Sequence, residues 1–253
     1  MNRFACQSAF LLALARLPRR LQPAVVPSVA PRGRLHSGGT SISHLYKEIF
    51  VERLYRSSTP IAPGERILDA GAHVGLASLF FLTEYPGARV VSVEPNPAAG
   101  SVLEQNLARY GTRSTIIRAA LASEAGAASF FVTRDEPLNV NAGTRNRARS
   151  GEAVTVLRVP RIAVGELLDE PVAHAKLDVE GDEYELLQHP AFRPEHVRSL
   201  VVEFHDVHEH LEAFDATLER LERRGYTTLD RHAQPFARGD LVSSLVLRFA
   251  APR

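Results

Sequence analysis

No stretch limits the fold of this chain more than residues 66–75, which read Arg-Ile-Leu-Asp-Ala-Gly-Ala-His-Val-Gly. Ile67-Leu68 has the character of a buried strand end. Asp69 follows it, Gly71 makes a tight turn, and Gly75 opens an apolar helical run through Leu76, Leu79 and Phe80. Strand, glycine turn and helix in that order bring backbone N–H groups and a helix N-terminus to the carboxyl edge of a sheet, where nucleotide-like ligands bind.

The rest of the chain repeats the alternation. Residues 88–93 (ARVVSV) read as a strand ending at Glu94, and Asn96-Pro97 is a helix start, a capping residue with proline at the first helical position. Strands follow at 114–117, 173–179 and 200–204, with helices between and a longer one over 208–224. The last two strands, 226–229 and 242–249, are too close for a helical crossover and pair as a hairpin. Residues 129–133 and 153–159 form an antiparallel ribbon around a polar loop, 134–152, and residues 41–57 read as a short helix. The expected class is α/β: a mostly parallel sheet with helices on both faces and an antiparallel last strand.

A chain of 253 residues accommodates one such domain. Its single cysteine, Cys6, excludes an internal disulfide framework and a paired-cysteine metal site. Residues 1–47 hold seven basic residues and no acid, leaving 23 basic against 29 acidic residues elsewhere, 23 − 29 = −6. A body of that sign argues against nucleic acid as a partner. The basic start, with its apolar run over 4–15 and repeated prolines, fits a mitochondrial or plastid transit peptide, with a secretory leader as the alternative. Arg34-Leu35-His36-Ser37 resembles a matrix-peptidase site cut after Leu35. A twelve-residue apolar run falls short of the ~20 residues needed to span a bilayer. The expected division is 1–40 as a targeting or disordered segment, 41–62 as N-terminal helix and connector, and 63–253 as the catalytic domain.

Four groups of residues carry the chemistry. Glu94 lies 25 positions after Asp69 at the end of the second strand, where an ionised carboxylate accepts both hydroxyls of a ribose. Asn96 caps the helix beside it. In a dinucleotide fingerprint the middle position would be glycine, but here it is His73, and the strand ends in Asp69, which would repel a pyrophosphate. An acid there suits a sulfonium or ammonium, which favours S-adenosylmethionine over NAD. Farther on, Lys176-Leu177-Asp178-Val179-Glu180-Gly181-Asp182-Glu183 and Glu203-Phe204-His205 end two neighbouring strands. Asp178 and Glu180 alternate onto one face, as do Glu203 and His205. Carboxylates with a histidine act as a general base or hold a divalent cation.

These motifs resemble the FkbM family of class I S-adenosylmethionine-dependent methyltransferases. The residues that carry the likeness are 68–75, Glu94-Pro95-Asn96, 176–183 and Val202-Glu203-Phe204-His205, in family order over about residues 63–249. His73 stands where the family usually has asparagine. The resemblance implies a seven-stranded Rossmann-like sheet with its last strand antiparallel. It implies that Asp69, Gly71 and Glu94 contact the cofactor, joined by His73, Gly75 and Asn96, and that Ala120 lies by the adenine.

The resulting expectation is O-methylation of a small-molecule or sugar-like acceptor, with the cofactor supplying an electrophilic methyl and the protein holding the acceptor in line. His205 is the first candidate base, Asp178 or a carboxylate-held cation the second, with Glu180 and Glu203 completing the site. The rival classes are a cofactor-binding scaffold without turnover and an NAD-dependent oxidoreductase.

Overall fold

The computed structural model describes residues 3–15, 25–29, 32–39, 42–138, 142–146, 153–235 and 242–251. Of the expected features, the first residue of the 41–57 helix and parts of the 134–152 loop and of the 1–40 segment lie outside them. In chain order the elements are α1 (Arg3–Ala15), β1 (Val25–Val29), β2 (Arg32–His36), α2 (Ser43–Tyr46), β3 (Arg66–Ala70), α3 (Leu76–Glu84), β4 (Arg89–Val93), α4 (Pro97–Leu107), β5 (Ser114–Ile117), β6 (Ala120–Ala122), β7 (Gly126–Thr133), β8 (Val154–Ala163), α5 (Val164–Leu167), β9 (His174–Leu177), α6 (Glu183–Gln188), β10 (Ser199–His205), α7 (Leu211–Arg223), β11 (Thr227–Pro235) and β12 (Val242–Ala250).

The main sheet has seven strands in the order β11-β12-β10-β9-β3-β4-β5. Strands β5, β4, β3, β9 and β10 run parallel, and β12 is antiparallel to both β10 and β11. The order reverses between β3 and β9, so the carboxyl ends of these two strands border the crevice where such sheets take ligands. The expected ribbon is present as β7 against β8, with β6 added parallel to β8.

Alternation along the strands builds two cores. Ile67, Val90 and Val201 face a cluster with Leu79, Phe80 and Phe81 of α3 and Val102 and Leu103 of α4. Leu68, Ala175 and Val202 face the other side, with Leu167, Leu187, Phe214 and Leu221 of α5, α6 and α7. Every residue of α3 from Leu76 to Leu82 is buried, so its outer side also needs a cover. The N-terminal segment supplies it: Tyr46 stacks on Phe50 at 4.5 Å, and Phe50 meets Phe80 edge-on at 5.6 Å.

That segment departs from the single helix expected over 41–57. After one turn of α2 the chain widens into a π-helix, Lys47–Glu52, and a left-handed Arg53 stops it. Part of the expected targeting segment is also structured against the body. Leu35 is buried, and the His36 backbone N–H and C=O both pair with the Asn106 side chain. Among the described residues no helix is long and apolar enough to cross a membrane.

Candidate active site

The expected site residues lie at the carboxyl ends of β3, β4, β9 and β10 or on the turns that follow them, except Ala120, which begins β6. Gly71, at φ +76°, packs so closely on the β9 turn that a Cβ there would overlap the Asp178 carbonyl oxygen. Its N–H and that of Ala72 both donate to the Val93 carbonyl, which joins the ends of β3 and β4. Gly75, at φ +89°, precedes α3, and a Cβ there would come within 2.6 Å of a Leu103 methyl. Between them His73 also takes a left-handed conformation, at φ +51°.

That conformation aims the His73 N–H at Glu94. The carboxylate accepts it at 2.7 Å through one oxygen and accepts the Asn96 N–H at 2.7 Å through the other. Glu94 is 6% exposed. Burial pushes its carboxyl up to about 7, although the two backbone bonds from Asn96 and His73 work against that. An ionised carboxylate offers about four lone-pair sites, so Glu94 retains capacity for two hydroxyls on one ligand. Asn96 caps α4 by accepting the Ala98 N–H, and its amide donates to the Pro137 carbonyl. The His73 ring donates from Nε2 to the Leu138 carbonyl, 3.0 Å away, and burial lowers its basicity. The start of the 134–152 loop is thereby tied to the glycine turn. Ala120 is buried in the packing of the small sheet with Phe130, Val132 and Val159.

Asp69 lies deeper than Gly71, His73 and Glu94, the other residues expected at the cofactor. Its side chain is fully buried and accepts from Ser78 Oγ at 2.5 Å, with Lys176 Nζ 3.4 Å from its other oxygen. Its carboxylate braces α3 and β9 from inside. Lys176 also donates to the Gly71 carbonyl at 2.6 Å and pairs with Asp178 at 3.1 Å. Burial would lower the Lys176 ammonium, but Asp178 and Asp69 outweigh it and hold it above its ordinary range.

The second half of the site gathers around His205. Strand β9 ends at Leu177, so Asp178 and Glu180 reach the site from a turn, with Glu180 left-handed at φ +59°. His205 Nδ1 lies 3.0 Å from Glu183 Oε1, and Nε2 faces Glu180 at 3.5 Å, Asp178 at 3.8 Å and Glu203 at 3.9 Å. Glu183 is fully buried and also accepts the Val179 and Gly181 N–H groups. Burial disfavours a charged imidazole, but Glu180, Glu183 and Asp178 together hold it well above the ordinary histidine range. Burial likewise works to raise Asp178, while Lys176 and His205 bring it below the usual carboxylate range.

Sequence reasoning placed no role on Tyr55. Its hydroxyl donates to Glu203 Oε2 at 2.7 Å, and Lys176 sits over its ring at 5.3 Å. Burial, then Glu203, pushes its phenol well above the ordinary tyrosine range. Glu48 of the π-helix is buried nearby, its carboxyl raised to about 7 by burial and then by Glu203. Glu183 stood in the sequence motif without a role of its own, and only the fold makes it the partner of His205.

Comparison with known proteins agrees with this arrangement. The model of the Methyltransferase FkbM domain matches residues 69–228. The 31-O-demethyl-FK506 methyltransferase FkbM of Streptomyces tacrolimicus is 34% identical over 92 residues, 36% of this chain and 35% of that protein. Methyltransferase sdnD of Sordaria araneosa is 39% identical over 85 residues, 32% of each chain. The chain thus spans about a third of the length of these relatives. Among solved structures, wild-type Trm5b from Pyrococcus abyssi is similar in fold, with a TM-score of 0.50, 12% identity, and 91% of this chain and 56% of that one covered. Its fold is that of the class I Rossmann-like methyltransferases, and the chain belongs to the FkbM methyltransferase domain family.

Proposed function

We propose that this protein transfers a methyl group from S-adenosylmethionine to an oxygen of a small-molecule, sugar-like acceptor. The observation that carries the cofactor half is Glu94, 6% exposed, its two oxygens each fixed by one backbone N–H beside the glycine turn. In this reading Glu94 grips the ribose hydroxyls. The turn over Gly71, His73 and Gly75 lies along the rest of the cofactor, Asn96 fixes the helix start beside it, and Ala120 borders the adenine. Asp69 acts through the turn it braces. The cofactor supplies an electrophilic methyl group, and the protein orients the acceptor in line with it.

The acceptor side is the carboxylate cluster. A hydroxyl lost its proton to a carboxylate base in this scheme, and Asp178, with 20% of its side chain exposed, is the most open of the four residues Asp178, Glu180, Glu203 and His205. The choice of oxygen as acceptor draws on the relative named for an O-demethylated compound. The 134–152 loop and the N-terminal segment would select the acceptor.

The test is a screen of cell extract with radiolabelled methyl donor, comparing wild type with Glu94→Ala, together with calorimetry using S-adenosylhomocysteine and NAD. Labelled product from wild type alone, with S-adenosylhomocysteine bound and NAD not, supports the reading. Tight NAD binding alone would end it, and cofactor binding without any labelled product would favour a scaffold.

For compartment, we retain mitochondrial import as a proposal, supported by the basic, acid-free start, with plastid or secretory routing as the alternatives. A fluorescent fusion of residues 1–40 tests it, and a diffuse signal would overturn all three.

A further inference from the structure

The three side chains Asp178, Glu203 and His205 each offer one ligand atom, and these atoms all lie within 4.8 Å of one another. What distinguishes them from an ordinary group of charges is how the other atom of each is held. His205 Nδ1 is committed to Glu183, itself fixed by two backbone N–H groups, so Nε2 is the nitrogen turned inward. Glu203 Oε2 accepts from the Tyr55 hydroxyl, and Oε1 is the oxygen that faces His205. Asp178 Oδ2 is committed to Lys176, which leaves Oδ1 facing His205. Three inward donors with three outer partners is the arrangement that orients ligands around a metal ion.

The distances agree with that use. Nε2 stands 3.5 Å from Glu180 Oε2, 3.8 Å from Asp178 Oδ1 and 3.9 Å from Glu203 Oε1, all longer than good hydrogen bonds, on a side chain only 7% exposed. Ligand atoms bound at about 2.1 Å to one ion lie about 3.0–3.4 Å apart, depending on geometry. Torsional adjustment of under about 1 Å per side chain would bring the set together.

We propose that Asp178, Glu203 and His205 bind one divalent first-row cation at the carboxyl ends of β9 and β10. Two carboxylates with one imidazole form a mixed hard and intermediate donor set suited to Mn²⁺ or Zn²⁺. Three protein ligands leave coordination positions open, and an acceptor oxygen placed there would lose its proton more easily. That role in transfer rests on the methyltransferase reading, whereas binding of the ion does not.

The experiment is a titration of the full chain, freed of any affinity tag and treated with EDTA, with Mn²⁺ followed by electron paramagnetic resonance. Wild type is expected to remove one equivalent of the free-ion signal. Asp178→Asn and Glu203→Gln are each expected to weaken binding at least 10-fold, and Tyr55→Phe about 10-fold with the stoichiometry kept. Glu104→Gln, which alters a surface pair with Arg118, is expected to bind as wild type. Circular dichroism and S-adenosylhomocysteine binding report whether each variant is folded. If Glu203→Gln fails to fold, the more exposed Asp178→Asn decides. Less than one equivalent taken up by wild type at millimolar Mn²⁺, or equal binding by wild type and the folded variants, overturns the site. S-adenosylhomocysteine binding with no Mn²⁺ uptake would sink the metal site alone, and the reverse would sink the cofactor reading alone.

Discussion

The Tyr55 hydroxyl donates to the Glu203 carboxylate at 2.7 Å across 148 positions of sequence. This bond ties the segment after the π-helix to β10, and it satisfies a carboxylate that is otherwise costly to bury. Tyr55→Phe keeps the ring and removes the donor. It is expected to destabilise the protein by about 1–3 kcal/mol, which for a chain of this size lowers Tm by roughly 2–12 °C. Thermal melting by circular dichroism measures it. An unchanged Tm would mean that the bond contributes nothing.

Glu94 gives a pH dependence with a definite sign. Its carboxyl is raised to about 7, chiefly by burial. Ribose hydroxyls need the ionised form as acceptor, so affinity for S-adenosylhomocysteine is expected to climb from pH 6 to 8 and then level off. In the cofactor-free protein the sign for stability is opposite. A folded-state value above the ordinary 4.5 means that Glu94 contributes stability fully below about 4.5 and loses it as pH rises through about 7. Glu94→Gln should bind weakly at every pH and flatten the titration. Calorimetry across the pH series is the measurement, and a wild-type affinity that falls with rising pH would refute the assignment.

How far the sequence could be read follows from distance along the chain. The Glu94 to Asn96 turn was legible because strand end, acid, cap and proline are contiguous, so local rules decide it. The mostly parallel sheet and the closing hairpin came from the alternation of elements, and the count of seven strands from the family resemblance. The pairing of Tyr55 with Glu203, or of Glu183 with His205, depends on tertiary packing that no local pattern encodes. The surroundings of Asp69 were hidden for a related reason. Position at a strand end suggested a ligand contact, yet Ser78, the one polar residue in the apolar run from Leu76 to Leu82, is its hydrogen-bond partner. A lone serine inside a helix buried on every side is a signal for an internal acceptor, and it was available in the sequence. The π-helix left no such trace, because a periodicity argument assumes 3.6 residues per turn throughout.

The two glycines of the turn should respond unequally to alanine. At Gly71 the new methyl would meet backbone, the Asp178 carbonyl, which cannot move without displacing the β9 turn. Left-handed strain adds to that overlap, and a loss of about 3 kcal/mol or more is expected. At Gly75 the nearest atom is the end of the flexible Leu103 side chain, at 2.6 Å. Gly75→Ala should therefore lose about 1–3 kcal/mol, most of it from the positive φ. Chemical denaturation of both variants makes the comparison, and equal losses would show that the approach of the β3 and β9 turns is not what demands glycine.

His73 departs from the asparagine usual in the family, and the backbone explains why either residue serves. At φ +51° the position is left-handed, a region where asparagine and histidine are several-fold enriched among non-glycine residues and β-branched residues are genuine outliers. The bond that matters to Glu94 comes from the His73 backbone N–H, which any residue in that conformation supplies. The ring adds a hydrogen bond to the Leu138 carbonyl. His73→Asn is thus expected to keep S-adenosylhomocysteine affinity within about 5-fold of wild type, equivalent to about 1 kcal/mol, the scale of one hydrogen bond. His73→Val should fold less stably by about 1–3 kcal/mol and bind more weakly, because the N–H would turn away from Glu94. If His73→Asn lost binding as severely as Glu94→Gln, the imidazole itself would have to touch the cofactor.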